Sequence, residues 1–362
     1  MINKHRFPYE WTLKDANFTK DKGTVFSCFA CGGGSTMGYK LAGFDVLGCN
    51  EIDPKMIEAY KTNHNPKYSY LEPIQTFKLR KDLPEELYNL DILDGSPPCS
   101  SFSMAGNREK DWGKEKKFRE GQAEQVLDNL FFDFIDLAKE LQPKVVVAEN
   151  VKGLIQGAAQ EYVRKIYAAF QDAGYSLRVA PYLLDASKMG VPQRRERVFF
   201  IALRNDLADP FMEQVDMFQI APKLRMEFYG TGVLFKDVHE SFTDRPITGK
   251  TLELWNNRKE SDKGLGEANG RLYGKPDNYF GWAYIKPEMI PPTIIANDTN
   301  VIFTEPRFLN KNELCRIGSY PLDYNFEDNK PHYLIGMSVP PVMTARIATE
   351  IYNQWLQKIT DN

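Results

Sequence analysis

Between Thr24 and Leu203 the sequence alternates short β-rich runs with helical patterns, and this feature constrains the fold most. Parallel strands need long crossover connections, and helices usually supply them, so the alternation predicts a doubly wound, mostly parallel α/β sheet. The predicted strands are Thr24–Ala30, Asp45–Glu51, Leu90–Gly95, Lys144–Glu149, Ser176–Asp185 and Arg197–Arg204, and the predicted helices are a stretch ending at Ala42, Pro54–Asn63, Ala123–Leu141 and Val342–Leu356.

From Asn205 to Pro291 the periodicity weakens, and the chain becomes rich in Gly, Asn, Lys and aromatic residues. The sequence therefore predicts that residues 1–204 and 330–362 form the α/β domain and that residues 205–329 form a smaller, loop-rich domain. We expect the aromatic residues Tyr279, Phe280, Trp282 and Tyr284 to lie in the core of this smaller domain.

The 362 residues are 42% hydrophobic and 26% charged, which is typical of a globular, non-membrane protein. The polar amino-terminal segment lacks the apolar core of a secretory signal, and no apolar run is long enough to span a membrane. Five cysteines, an odd number, favour free thiols in a reducing compartment. We therefore expect a cytoplasmic protein.

Charge and cysteine spacing say little about partners. The net charge of −3 gives no support to nucleic-acid binding, and the local basic clusters at residues 78–81, 110–119 and 194–197 suit a solvated surface equally well. Cys28 and Cys31 form a C-x-x-C pair, but the four histidines are scattered along the chain. Since a zinc site needs two further ligands, we expect no metal.

The segment Gly95-Ser96-Pro97-Pro98-Cys99 ends a predicted strand in two prolines and a cysteine. The prolines restrict the backbone and exclude a helix, so they present the next side chain stiffly. Ligands of open α/β sheets bind at the carboxyl ends of the strands. Cys99 is therefore a candidate nucleophile.

Two further strand ends carry charged residues. Glu149 directly follows the apolar run Val145–Ala148. A buried carboxylate there is unfavourable unless it is paired with a cation or serves in a functional site. A solvent-exposed carboxylate that merely ends the strand is an equal alternative. Arg194, Arg195 and Arg197 lie at another strand boundary, where they could bind an oxygen-rich ligand or solvate a loop.

Six motifs occur in order along the chain: SCFACGGG with Cys31–Gly34, Asn50-Glu51-Ile52-Asp53, GSPPCSSFS, ENVKG, QRRERVF and Gly336-Met337-Ser338-Val339-Pro340-Pro341. Together they resemble the cytosine-C5 DNA methyltransferases of bacterial or phage type. The resemblance covers the whole chain except the first twenty or so residues and Asn205–Pro291.

The resemblance implies an S-adenosylmethionine-dependent, Rossmann-like fold and a cytosine flipped out of duplex DNA. Cys99 would attack carbon 6 of the ring, which makes carbon 5 nucleophilic enough to accept the methyl group. Glu149 would hold the exocyclic amine and the ring nitrogen, Arg197 would bind the carbonyl oxygen, and Arg195 would assist nearby. None of these steps uses a metal.

The resemblance also implies a cofactor pocket in the first half of the chain. Glu51 would bind the ribose hydroxyls, Ile52 would pack on the adenine, and Asp94 or Ser96 would border the sulfonium side. A glycine-rich turn followed by an acidic residue also occurs in NAD enzymes, and the downstream motifs decide between the two. The implied cofactor residues are Phe29, Ala30, Gly32, Gly33, Gly34, Glu51, Ile52, Pro97, Met337 and Val339.

Three positions depart from the family pattern. Cys31 stands where a glycine is usual, Met337 stands where an asparagine is usual, and the adenine-contacting aspartate is replaced by the segment Leu71-Glu72-Pro73-Ile74, in which Glu72 is a candidate substitute. These departures concern the cofactor pocket and leave the candidate catalytic residues untouched.

By resemblance, Asn205–Pro291 is a target-recognition domain braced by the segment from Arg307 to Pro321, and Ser101–Arg119 is a loop that closes over the flipped base, with Gly106 and Gly113 as hinges. The implied partner is double-stranded DNA, bound by a monomer at the bacterial nucleoid, with a restriction endonuclease for the same site as a candidate partner.

Two alternatives stay open. One is a tRNA cytosine-C5 methyltransferase of the same fold, whose relatives carry a Cys-Phe-Thr segment that this chain lacks. The other is a non-catalytic DNA-binding relative with an altered cofactor pocket, suggested by Cys31 and Met337.

Overall fold

The computed structural model describes residues 7–98, 129–156, 159–178, 180–214, 219–242, 244–274 and 282–360, and the backbone alone at residues 115–116 and 125–126. Cys99, most of the expected closing loop, Tyr279 and Phe280 lie outside the described residues. Within the described part of the chain, no helix is both long and apolar enough to cross a membrane.

The strands and helices alternate along the first half of the chain. The strands are β1 Thr24–Cys28, β2 Asp45–Glu51, β3 Tyr68–Leu71, β4 Ile92–Gly95, β5 Glu115–Lys116, β6 Gln125–Val126, β7 Val145–Val151, β8 Tyr175–Ser176, β9 Tyr182–Asp185, β10 Glu196–Arg204, β11 Met212–Gln214, β12 Ile220–Pro222, β13 Ala283–Ile285 and β14 Asn300–Ile302. The α-helices are α1 Gly34–Leu41, α2 Pro54–His64, α3 Ile74–Phe77, α4 Leu130–Leu141, α5 Gln160–Asp172, α6 Asn205–Ala208, α7 Gly249–Asn256, α8 Leu265–Tyr273, α9 Lys311–Gly318, α10 Pro331–Met337, α11 Pro341–Ile351 and α12 Gln357–Thr360, with a π-helix at Tyr352–Leu356.

The central sheet has the strand order β3-β2-β1-β4-β7-β10-β8, and β9 also pairs with β10. The pairs from β3 to β7 are parallel, whereas β10 is antiparallel to β7, β8 and β9. This confirms the predicted doubly wound, mostly parallel α/β fold. It also places the carboxyl ends of β1, β2, β4 and β7 along one edge of the sheet.

Local sequence accounts for the element boundaries near this edge. Helix α2 begins where Pro54 supplies a favourable φ, and the Asp53 carboxylate accepts hydrogen bonds from the N–H groups of Lys55 and Met56. Strand β2 has the predicted bounds, and its last six residues are buried. A strand buried on both faces reads as a continuous apolar run, as this one largely does.

Two predicted elements are wrong in part. Helix α4 begins at Leu130 rather than at Ala123, because Gln125–Val126 pairs as a strand with Glu115–Lys116. The predicted strand Ser176–Asp185 is divided into β8 and β9. Ser176 pairs with Leu203 and Tyr182 pairs with Phe199, so the pairing register along β10 changes between Leu203 and Phe199, and the ladder is interrupted there.

The chain packs as two compact units. The sheet unit comprises Asn17–Asp185, Glu196–Phe228 and Thr344–Asn362, and the second unit comprises Met1–Ala16, Ala186–Arg195 and Tyr229–Met343. Residues 205–228, which the sequence assigned to the smaller domain, therefore pack with the sheet. The functional division at residues 204 and 329 remains a prediction.

Each unit has its own apolar core. In the sheet unit, Phe26 stacks on Phe77, and Phe131 of α4 packs edge-on against Phe200 of β10. In the second unit, Tyr284 lies in a core with Leu254, Leu265 and Val301, and Trp282 packs against it. Burial of each such side chain contributes roughly 1.5–3 kcal/mol to stability. The predicted core position of Trp282 and Tyr284 is confirmed.

Candidate active site

The turn between β1 and α1 has an unusual backbone. Phe29, Cys31 and Gly33 have φ angles of 53°, 47° and 85°. Left-handed conformations are rare for residues with a Cβ atom, and glycine adopts them freely. Three of them within five residues turn the chain sharply at the sheet edge. Cys31 thus holds a conformation that suits the glycine expected at this position.

Gly33 is required by close packing as well as by its φ angle. A Cβ atom here would lie 2.2 Å from Nε2 of His64. That nitrogen donates a hydrogen bond of 3.1 Å to the carbonyl of Gly32. Burial lowers the pKa of His64 to about 3, so the ring is neutral and works as a fixed donor beneath the turn.

Glu51, at the end of β2, braces the middle of the same turn. Its Oε2 accepts a hydrogen bond of 2.7 Å from the N–H of Cys31, and its Oε1 accepts from the N–H groups of Ile52 and Asp53. Burial raises the pKa of Glu51, and the three backbone donors oppose this shift. Since a carboxylate oxygen has two acceptor sites, Oε2 keeps capacity for a ligand hydroxyl beyond this described donor.

Asp94 of β4 ties the two stems of the turn together. Its Oδ2 accepts hydrogen bonds from Ser27 Oγ (2.8 Å) and Ser35 Oγ (2.7 Å), and its Oδ1 accepts from the Tyr39 hydroxyl (3.1 Å). Asp94 is only 4% exposed, and burial raises its pKa to about 6. The turn therefore sits between two buried carboxyl groups, those of Glu51 and Asp94.

The second part of the site lies on β4, β7 and β10. Strands β4 and β7 are parallel neighbours. Glu149 Oε1 lies 3.0 Å from Nε of Arg197 on β10, and both side chains are largely buried. Burial lowers the pKa of Arg197, and the Glu149 carboxylate opposes that shift. A charged pair held in this low-dielectric setting is suited to polarising a planar polar ligand.

The segment that leads to Cys99 is anchored to β7. Asn150 Nδ2 donates a hydrogen bond of 3.1 Å to the carbonyl of Pro97, and both residues are buried. Asn150 directly follows Glu149. Strand β7 therefore carries the candidate catalytic carboxyl group and also holds the segment that precedes the candidate nucleophile. Cys99 itself lies outside the described residues.

Arg195 has a different environment from Arg197. It belongs to the second unit, and its guanidinium donates to the carbonyls of Ile294 (3.0 Å), Gly336 (2.8 Å) and Ser338 (2.8 Å). These bonds fix the backbone on both sides of Met337, which is 39% exposed. Val339 of the same motif is buried.

The predicted bracing segment is built on a buried ion pair. The guanidinium of Arg307 donates to both carboxylate oxygens of Glu313, at 2.8 and 2.9 Å, and neither side chain is more than 2% exposed. Arg307 also donates to Glu305 and to the carbonyl of Glu240. A bidentate pair with further hydrogen bonds is the geometry that makes a buried charge tolerable.

The structure thus brings most sequence-predicted residues into two groups in the sheet unit. The first group is the turn with Phe29, Ala30, Gly32, Gly33, Gly34, Glu51 and Ile52, and the second is Glu149 and Arg197 beside Pro97. Arg195, Met337 and Val339 lie in the second unit. Among the described residues, no group of three or more His, Cys, Asp or Glu side chains is arranged to hold a metal ion.

Four residues of the site were not predicted from the sequence: Ser27, Ser35, Tyr39 and Asn150. A signal existed for the hydroxyl residues, because Ser27 interrupts the apolar strand β1, and Ser35 and Tyr39 are spaced four apart on one face of α1. Asn150 gave no comparable signal, since an asparagine at a strand end usually serves a turn.

Solved structures with the same architecture define the class of fold. An E. coli prophage-encoded DNA modification methyltransferase superposes with a TM-score of 0.63 at 22% identity, covering 91% of this chain and 99% of that one. Spodoptera frugiperda DNMT2 superposes with a TM-score of 0.60 at 17% identity, covering 94% of this chain and 100% of that one. The fold is that of the S-adenosylmethionine-dependent methyltransferases.

Sequence comparison places the chain more narrowly. The model of the C-5 cytosine-specific DNA methylase family matches residues 23–353, and the chain belongs to this family. Type II methyltransferase M.FnuDI of Fusobacterium nucleatum is 36% identical over 183 residues, which is 51% of this chain and 47% of that protein. Type II methyltransferase M1.HphI of Haemophilus parahaemolyticus is 26% identical over 342 residues, 91% of this chain and 86% of that protein.

The matches to M.FnuDI, M.Eco47II and M.NgoPII cover 47%, 40% and 50% of those proteins, so they span about half the length of these relatives. The family uses S-adenosylmethionine as its methyl donor. The donor set of the turn fits this cofactor, because a carboxylate with acceptor capacity suits the ribose hydroxyls and half-buried Phe29 and Ile52 offer apolar surface.

Proposed function

We propose that this protein methylates carbon 5 of a cytosine flipped out of double-stranded DNA, with Cys99 as the nucleophile. The observation that carries the proposal is the largely buried Glu149–Arg197 pair, beside the strand end that Asn150 anchors and that leads to Cys99. Family membership supports the same reaction.

The residues of the pair have complementary roles toward a cytosine ring. The Glu149 carboxyl group accepts from the exocyclic amine and, when protonated, donates to ring nitrogen 3. Arg197 donates to the carbonyl oxygen at carbon 2. Both contacts withdraw charge from the ring while the Cys99 thiolate adds to carbon 6, so the pair stabilises the adduct.

The remaining steps follow from that adduct. S-adenosylmethionine supplies the methyl group that carbon 5 receives. Carbon 5 then loses its proton to a base, the bond between Cys99 and carbon 6 breaks, and the double bond of the ring is restored. In this scheme Arg195 assists nearby by fixing the backbone around Met337.

The turn residues and Glu51 would hold the cofactor, with Ile52 on the adenine and Pro97 near the reacting end. Met337 and Val339 complete the set implied by the family pattern. Duplex DNA is the proposed substrate, bound by a monomer through residues 205–329, and a restriction endonuclease with the same site is a candidate partner. The names of the relatives M.FnuDI and M1.HphI, both Type II methyltransferases, favour that setting.

Trapping on 5-fluorocytosine tests the nucleophile. Fluorine at carbon 5 cannot leave as a proton, so the adduct persists after methyl transfer. Duplex DNA containing 5-fluorocytosine in random sequence is incubated with S-adenosylmethionine and the protein, and a denaturant-resistant complex is scored on a gel. We expect the complex with the native chain and with Cys315→Ala, a matched cysteine variant in the second unit, and none with Cys99→Ala.

A complex that survives Cys99→Ala would overturn the assignment of the nucleophile. Absence of any complex with folded native protein that binds DNA would contradict the proposed reaction. Running tRNA containing the same analogue in parallel separates the DNA enzyme from the RNA enzyme.

A further inference from the structure

Asp94 is a buried carboxyl group with an unusual set of partners. Its three hydrogen-bond donors are the hydroxyl groups of Ser27, Ser35 and Tyr39, and all are neutral. No lysine, arginine or histidine side chain of the described residues lies within ion-pair distance of it. A buried carboxylate without a cation is strongly unfavourable, so its presence calls for a counter-charge from elsewhere.

The groups around Asp94 add negative charge or none. Glu149 on the neighbouring strand β7 raises the pKa of Asp94 electrostatically, after the larger effect of burial. Burial and then Asp94 raise the pKa values of Cys28 on β1 and Tyr39 on α1, and burial raises that of Tyr60 on α2, so these groups remain neutral. Arg197 on β10 is paired with Glu149.

The carboxyl group of Asp94 lies at the base of the turn between β1 and α1. Ser27 precedes the left-handed turn and Ser35 follows it, so the two bonds to Oδ2 close the base of the turn on the carboxylate. The cofactor of the family is a sulfonium cation, and its product after methyl transfer is a neutral thioether of nearly the same shape. The missing counter-charge and the charge of the cofactor therefore match.

We propose that Asp94 is the residue that makes the turn prefer a sulfonium ligand over the corresponding thioether. The inference rests on the proposed function, because it takes the turn as the cofactor site. When the methyl group leaves for carbon 5, the S–CH₃ bond breaks, its electron pair stays on sulfur and the positive charge of the ligand is lost. Asp94 then holds the product less firmly than the substrate, which favours product release.

The preference must depend on pH. Below pH 6 Asp94 is protonated in the free protein and attracts a cation little, whereas above pH 6 it is ionised. A bound sulfonium stabilises the carboxylate and lowers its pKa, so binding releases protons near pH 6. Affinity for the sulfonium therefore rises with pH, and affinity for the thioether stays flat or falls.

Calorimetric binding of S-adenosylmethionine and S-adenosylhomocysteine between pH 5 and pH 8 tests this. For the native chain, we expect the ratio of the thioether Kd to the sulfonium Kd to rise about tenfold across that range, the factor given by one pKa unit of coupling. Asp94→Asn abolishes the rise. Asp91→Asn, at the other end of the strand, where the carboxylate is paired with Lys144, keeps it.

Tyr39→Phe provides a second variant in case Asp94→Asn fails to fold. It removes one hydrogen bond that stabilises the carboxylate, so the midpoint of the pH dependence moves upward while the charge is kept. A ratio that does not change with pH in the native chain, a rise that persists in folded Asp94→Asn, or an unmoved midpoint in Tyr39→Phe overturns the inference. If both ligands still bind, the proposed function stands; if neither binds the native chain, both fail.

Discussion

Cys31 illustrates how a single residue can depart from a backbone preference. Its φ of 47° is costly for a side chain with a Cβ atom, by roughly 1–2 kcal/mol. We expect Cys31→Gly to stabilise the chain by about 1 kcal/mol, after allowing for the greater freedom of glycine when unfolded. Urea unfolding measures the change.

Cys31→Ala is the control for that substitution, because alanine removes the thiol and keeps the Cβ atom. Its stability should stay below that of the glycine variant. Equal stability of the two variants would show that the left-handed backbone carries no strain.

The Glu149–Arg197 pair makes a second prediction at the scale of residues. Arg197→Ala leaves the Glu149 carboxylate buried without its partner, so we expect a loss of about 3 kcal/mol in unfolding free energy. Methyl transfer should fall by a factor on the order of 10²–10³, because a preorganised donor is lost.

The matched control is Lys152→Ala, which removes the exposed ion pair between the residue directly after β7 and Glu196 of β10. An exposed pair contributes roughly 0–1 kcal/mol, so this variant should keep both stability and activity. Similar losses in the two variants would mean that the buried pair has no special role.

Asp94 also links stability to pH. Its pKa is about 6 in the folded chain and near the ordinary 3.8 when unfolded, so the folded state binds the proton more tightly. The stabilising contribution is complete below pH 4 and is lost as pH rises through 6, amounting to roughly 3 kcal/mol. Asp94→Asn should therefore gain stability relative to the native chain between pH 4 and pH 7 in chemical denaturation. A constant difference over that range would contradict the shifted pKa.

At the scale of elements, the π-helix Tyr352–Leu356 holds the segment after β12. Gln354 accepts a hydrogen bond from the N–H of Arg225 and donates one to its carbonyl, both 2.9 Å, and Trp355 Nε1 donates to the carbonyl of Lys223 at 2.8 Å. Two successive side chains of the π-helix, Gln354 and Trp355, thus hydrogen-bond to the same backbone segment, residues 223–225.

We expect Gln354→Ala to destabilise the chain by about 1 kcal/mol, since two exposed backbone groups lose their partner and water can replace it. Hydrogen exchange should accelerate around residues 223–228 and remain slow in the central strands. Gln357→Ala, an exposed position one turn later, serves as the control. Unchanged exchange at residues 223–228 in Gln354→Ala would rule out the bracing role of the π-helix.

How far the elements could be predicted depended on whether the signal was local. Strand β2 and helix α2 carry apolar runs, a proline and a capping aspartate, and they were predicted closely. The division of the strand Ser176–Asp185 depends on its pairing with β10, which single-sequence periodicity does not contain.

The candidate site shows the same limit. Motif order indicated Glu149, Arg197 and Glu51, each of which lies within two residues of a strand end. The hydrogen bonds of Arg195 and the bond from Asn150 to Pro97 join residues that are far apart in the chain. No local sequence pattern could predict them. The triad of hydroxyl groups around Asp94 likewise required the register between β1 and β4.

At the scale of the whole molecule, the amino-terminal residues 7–16 pack in the second unit although the family match begins at residue 23. Trp11 is 8% exposed, and its indole N–H donates to the carbonyl of Ser319 at 3.0 Å. The N–H groups of Leu13 and Lys14 donate to Asp323 at 2.7 and 3.1 Å. This extension is therefore part of the second unit's structure.

We expect Trp11→Ala to destabilise the second unit by about 3–5 kcal/mol, as for other buried aromatic truncations. Hydrogen exchange should accelerate in α9 and stay unchanged in β1, β4 and β7. Lys14→Ala, whose side chain is exposed, is the control. Equal acceleration in both units would show that they do not unfold separately.

The central claim, methylation of cytosine at carbon 5 in duplex DNA, is tested most directly by the nucleosides that the reaction leaves. Duplex DNA of random sequence is incubated with the protein and S-adenosylmethionine, digested and analysed by mass spectrometry. We expect 5-methyldeoxycytidine with the native chain, none with Cys99→Ala, and a loss on the order of 10²–10³ with Arg197→Ala. Methylation of adenine, methylation of tRNA alone, or undiminished 5-methyldeoxycytidine in Cys99→Ala would contradict the account.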